Sequence, residues 1–112
     1  MTERLFHLAI PDDWQAAVAR GGPYTISTRG LTLEEAGFIH LSFRHQVPGV
    51  AERFYSDVPD LVVLTIEPGA LVGASVEVRV ENLEGGTELF PHLYGALPLY
   101  AVVKVQPFDV WS

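Results

Sequence analysis

Leu61-Val62-Val63-Leu64-Thr65-Ile66-Glu67 is the stretch that sets the architecture. Its apolar and β-branched residues follow one another without the alternation of a half-exposed strand. The run falls far below the ~20 residues of a membrane-spanning helix. Pro59 stands before it, and Pro68-Gly69 after it reads as a turn. A short run of this kind predicts a strand buried on both faces.

Working outward, Val76, Val78 and Val80 alternate with Glu77, Arg79 and Glu81, the period of a half-buried strand. Leu99 to Val105 predicts a closing strand after Pro98. Toward the N-terminus, Leu5 to Ile10 predicts an opening strand and Phe38 to Ser42 a second strong one. Tyr24 to Ser27 is a shorter β-like stretch. Asp12 and Gln15 mark a capped helix start with Trp14, Ala17 and Val18 inward, ended by Gly21-Gly22. Thr32 and Glu35 form a capping-box pattern, and Gly37 is placed to stop that single turn. Pro48 suits the start of a helix carrying Val50, Ala51 and Phe54 inward, up to Pro59. The sum is an α+β domain spanning residues 1–112, without internal repeats or a dividing linker.

Composition narrows the chemistry. Hydrophobic residues make up 48% of the chain, enough for one packed core. There is no cysteine, which excludes disulfides, thiolate metal sites and thiol nucleophiles. Fourteen acids against seven bases give a net charge of −7, and Lys104 is the single lysine. No basic stripe for nucleic acid can be drawn, nor a patch for an anionic membrane. A small ligand carrying one or two phosphates is compatible with the scattered arginines. The N-terminus runs straight into strand-like sequence with no leader pattern, so a cytoplasmic location is expected.

Histidine is where the chain departs from a plain apolar core. His7, His40 and His92 each lie in an apolar, strand-like setting. A buried imidazole needs partners for both ring nitrogens, and Tyr24, Ser42, Gln46 and Tyr94 are near enough in sequence to supply them. Taken singly, each reads as a satisfied core or edge histidine. The three converge only if their strands are neighbours. A three-histidine metal site is the other arrangement such residues make, but no H-x-x-x-H or H-x-H pair occurs, and His40 and His45 are five apart. No metal is expected. Ser42 lacks a G-x-S-x-G elbow, and the other serines, Ser27 among them, lie in turn-like contexts. Glu81 ends the alternating strand ahead of the Gly85-Gly86 turn. It reads either as a solvated strand-end carboxylate or as one set against a developing positive charge.

The segments Phe6-His7, Gly37-Phe38-Ile39-His40-Leu41-Ser42 with Gln46, and Phe90-Pro91-His92-Leu93-Tyr94-Gly95 together resemble the bacterial family called domain of unknown function 952. Trp14, the Leu61 to Leu64 run and Glu81 fit the same pattern. That family resembles the ADP-ribosyltransferase superfamily in fold: short helices on two small, mostly antiparallel sheets that form a cleft for NAD. The resemblance implies that His7 contacts the NAD ribose and that His40 to Ser42 cradle the nicotinamide riboside. It places Glu81 or His92 near the motif that holds the catalytic acid in many members. The implied catalytic set is His7, His40 and Glu81. The implied substrate-binding set is Tyr24, Ser42, Gln46, Phe90, His92 and Tyr94.

Breaking the nicotinamide–ribose bond passes through an oxocarbenium-like state, helped by a carboxylate and by donors to the ribose hydroxyls. Aromatic walls from Tyr24, Phe90 or Tyr94 would stack the nicotinamide. The expected function is binding of NAD or a related nucleotide, with ADP-ribosyl transfer or hydrolysis. The acidic balance and the lack of an arginine set argue against an RNA substrate. A non-catalytic module that binds a small metabolite in a histidine-lined pocket is the alternative. A purely structural role for the histidines is the third.

Overall fold

A computed structural model describes residues 3–83 and 86–111, so Glu84 and Gly85 of the expected turn lie outside the described residues. The apolar run that begins at Leu61 forms β5 (Val62–Ile66), the middle strand of a three-stranded antiparallel sheet. Its neighbours are β1 (Leu5–Ala9) and β8 (Val102–Pro107). The expected burial on both faces has a direct cause. Phe6, Leu8 and Val63 pack against Val47, Val50, Ala51 and Tyr55 of α3 (Val47–Tyr55). On the reverse face Leu5, Ala9, Leu64 and Ile66 meet Ile39, Leu41 and Leu93 in a second cluster.

Those last residues belong to, or follow, the strands of a second antiparallel sheet. It is ordered β4 (Ile39–His40), β7 (Phe90–Tyr94), β6 (Glu77–Glu81). Its register aligns Ile39, Leu93 and Val78 on the core side and His40, His92 and Arg79 on the other. A two-stranded hairpin, β2 (Ile26–Thr28) with β3 (Leu31–Thr32), stands beside it. A backbone bridge between Phe6 and Ser42 ties the two larger sheets together. The Cα radius of gyration is 12.9 Å, matching the ~13 Å expected of one domain of this length.

Several local expectations need correction. The first helix, α1 (Pro11–Ala19), is capped at Ile10, two residues before the Asp12 cap that the pattern implies. Pro11 takes the first helical position and Asp12 and Asp13 sit in the first turn, favoured by the helix dipole. Trp14 packs on the core and Ala17 is buried, but Val18 is 50% exposed. Tyr24 precedes the β2 strand and makes a single bridge to Leu97. The Phe38 to Ser42 strand contracts to Ile39–His40 as the chain turns to reach Phe6. Phe54 points outward at 48% exposure.

Pro68-Gly69 opens a helix, α4 (Pro68–Gly73), in place of a simple turn, because the Glu67 carboxylate caps it by accepting from the Gly69 N–H at 3.4 Å. Leu99 to Ala101 form a 3₁₀ turn, so the closing strand starts at Val102. Val80 is exposed because β6 is an edge strand, with β7 on one side only. The capping box over α2 (Leu33–Ala36) is present in full, with Gly37 as its left-handed C-cap.

Candidate functional site

Because β1 alternates, His7 shares the inner face with Leu5 and Ala9 and points into the space between the sheets. It is 2% exposed. Its Nδ1 lies 2.7 Å from the His40 carbonyl oxygen, which can only accept, so Nδ1 carries the proton. Nε2 is then an acceptor, and the Tyr24 hydroxyl donates to it at 2.9 Å. Burial lowers the His7 pKa to about 4 against the one stabilising backbone bond, and the ring is neutral at physiological pH. Tyr24 is wholly buried and burial raises its pKa, so its proton stays in that bond. Both ring nitrogens of His7 are thus occupied inside the core. The geometry makes His7 a support for the backbone of His40.

His40 stands on the outer face of the second sheet, level with His92 across β4 and β7. Its own N–H donates to the Ser27 hydroxyl at 3.2 Å, so Ser27 is a buried strand residue and its expected turn-like setting is corrected. The imidazole tilts against Phe90 and His92, with ring centroids 5.0 and 5.6 Å away. Burial, then the neighbouring His7, His92 and Arg53, brings the His40 pKa down to about 4. Phe38 stacks on His92 at 4.2 Å between centroids. The strands of His40 and His92 are therefore paired neighbours, while the strand of His7 belongs to the other sheet and meets this one at the Phe6–Ser42 bridge. Among the described residues no three metal-ligating side chains converge as a metal site would require.

Glu81 opposes Phe90 across β6 and β7. Its carboxylate accepts from the Tyr94 hydroxyl and, at 3.0 Å, from His92 Nδ1. Those two donors hold its pKa below the usual carboxylate value, the tyrosine first. Arg79 lies over the Tyr94 ring at 4.2 Å. The result is a row of polar groups, Tyr94–Glu81–His92, running along the sheet up to His40.

A cavity of about 520 Å³ opens at the His40 end of this row. Phe38, Phe54 and Phe90 line it with Leu31 and Ala36. Ser27, Thr28, His40, Arg53, Asn82, Thr87 and Glu88 supply its polar groups. Of the expected site residues, His40 and Phe90 line this cavity. Glu81, His92 and Tyr94 stand behind it in the polar row, while His7 and Tyr24 stay in the core. Ser42 is buried in the bridge to Phe6. Gln46 is buried too and works as a clamp. Its Oε1 accepts from the Phe43 N–H at 2.9 Å, and its Nε2 donates to the Leu89 carbonyl at 2.8 Å and the Glu88 carboxylate at 3.0 Å. The cavity lies on the outer face of the second sheet, because the space between the two larger sheets is filled by the core.

The chain resembles known proteins. It matches the family described as "Protein of unknown function (DUF952)" over residues 9–105. The chain belongs to this family. Protein CC0527 from Caulobacter crescentus has a solved structure similar to this one, with a TM-score of 0.78 and 26% identity, covering 98% of this chain and 90% of that one. A double mutant of the same protein gives a TM-score of 0.78 at 25% identity, with the same coverage. A search of curated proteins found no match.

In this DUF952 member the cavity recruits residues that a one-dimensional reading passes over. Arg53 and Phe54 come from the last turn of α3, and the exposure of Phe54 is explained by its place on the cavity wall. Thr28 and Leu31 come from the hairpin, and Asn82, Thr87 and Glu88 from the segments flanking Glu84 and Gly85. The one signal available in the sequence is the adjacency of Arg53 and Phe54 near the end of an amphipathic helix. It points outward only once the register of Val50 and Ala51 is fixed.

Proposed function

We propose that this cavity binds NAD or a related nucleotide, and that the domain carries out ADP-ribosyl transfer or hydrolysis on it within an ADP-ribosyltransferase-like fold. The composition of the cavity carries the reading. It brings three phenylalanine rings, an arginine, a neutral imidazole and three hydroxyl side chains to one concave surface. A nucleotide needs an apolar stacking wall for its base and a few convergent polar groups for sugar and phosphate. Neutral His40 can bond a ribose hydroxyl without opposing a developing oxocarbenium. Glu81 acts through His92, whose ring it orients beside His40, and is a positioning residue. The partner is a small molecule, with no part for nucleic acid or membrane. Among the described residues no helix is long and apolar enough to cross a membrane.

One observation favours the alternative of a module that binds a small metabolite without turning it over. The best-placed acid of the polar row, Glu81, is engaged by Tyr94 and His92 and does not line the cavity. Calorimetric titration of NAD, followed by chromatography of the mixture for released nicotinamide, separates the two. The catalytic reading expects micromolar binding and released nicotinamide, both lost in a His40→Ala variant that still melts as a folded protein. Binding without product supports the module, and no heat at high NAD concentration overturns the nucleotide reading.

A further inference from the structure

In an acidic chain most cations are already engaged. Arg4, Arg29 and Arg79 hold the carboxylates of Glu67, Asp57 and Glu77. Arg44 lies against the rings of both Phe6 and Trp111, 4.8 and 5.2 Å from their centroids. Arg53 is different. It lines the cavity, its guanidinium lies 5.7 Å from the Phe54 ring centroid, and among the described residues no carboxylate pairs with it. The carboxylate that shares the cavity, Glu88, is taken by the Gln46 amide. An apolar cavity wall strengthens the pull of a cation on an incoming anion, and a guanidinium is shaped to grip phosphate oxygens in pairs.

We infer that Arg53 is the anion subsite of this cavity, taking the phosphate of a ligand whose aromatic base lies among Phe38, Phe54 and Phe90. The inference rests on the nucleotide reading and narrows it: the cavity selects phosphorylated nucleosides over the nucleosides themselves. Glu88 contributes the opposite charge from a separate segment, so the phosphate is directed to the α3 side. Arg53 is solvent-exposed near the end of a helix, and its replacement leaves the core untouched.

The test compares nicotinamide mononucleotide with nicotinamide riboside by calorimetry, on the full chain and on R53Q, with phenyl phosphate as a probe that carries no nucleoside. Wild type is expected to hold the mononucleotide about tenfold tighter than the riboside, or more, the scale of a charge-assisted contact. In R53Q the two ligands should bind alike, at the riboside's affinity and with an unchanged melting temperature. Equal affinities in wild type, or a difference that persists in R53Q, overturn the assignment. If neither nicotinamide compound binds, the nucleotide reading falls and phenyl phosphate decides this one. Binding that R53Q loses upholds the anion subsite, and absent or R53Q-insensitive binding overturns it.

Discussion

His7 and His40 are held neutral by the same force, removal from water, and both titrate at about 4 in the folded chain against an ordinary 6.5. Between those pH values the unfolded chain binds protons that the folded chain refuses. Stability is therefore complete above about pH 6.5 and is lost as the pH falls toward 4. Each histidine contributes on the order of 3 kcal/mol to that loss if its shift is fully expressed. Thermal melts at pH 7 and pH 4.5 check this. A clear drop in melting temperature is expected at the lower pH, and a flat profile would mean that these rings are solvated. The sequence placed each histidine in a buried setting correctly. It could not distribute their partners, because Tyr24 reaches His7 across 17 residues and the His40 carbonyl across 33.

At the scale of the elements, the cap of α2 was legible because its deciding partners lie within five residues of one another and form a recognised pattern. Thr32 and Glu35 bond each other's backbone as their spacing predicts, with 3.0 and 3.2 Å contacts, and Gly37 closes the turn with a φ of 89°. A Cβ at Gly37 would meet no atom within 4 Å, so the cost of Gly37→Ala is the left-handed backbone alone. About 1 kcal/mol should be lost in chemical denaturation. A much larger loss would reveal packing that the open space excludes. Pro68-Gly69 reads as punctuation, yet a proline at a helix start with a capping glutamate before it is equally consistent with a helix, and α4 forms there. Helical periodicity predicts Phe54 inward, because it counts apolar residues and cannot tell a core from the wall of a cavity.

Over the whole molecule, two antiparallel sheets clamp one core, α3 covers the first, and the outer face of the second is given to His40, His92, Glu81 and Tyr94. The α+β class and the burial of β5 on both faces followed from apolar patterning, since such burial leaves a signal that needs no long-range information. The cavity did not follow. Its walls come from the hairpin, the end of α3 and the segments around β6 and β7, and only the fold brings them together. Glu81 stands out in the sequence because it ends an alternating strand, and in the fold it is tied to His92 and Tyr94 within the sheet. Glu88, which does line the cavity, carried no pattern at all.

The central claim is that this cavity, and no other surface, takes a nucleotide. Nuclear magnetic resonance of ¹⁵N-labelled protein titrated with NAD tests it directly. Saturable shifts should gather at the backbone amides of Ser27, Thr28, Phe38, His40, Phe54, Asn82 and Thr87, with Phe6, Leu8 and Val63 unmoved. Shifts centred elsewhere, or none up to high ligand concentration, would contradict the account.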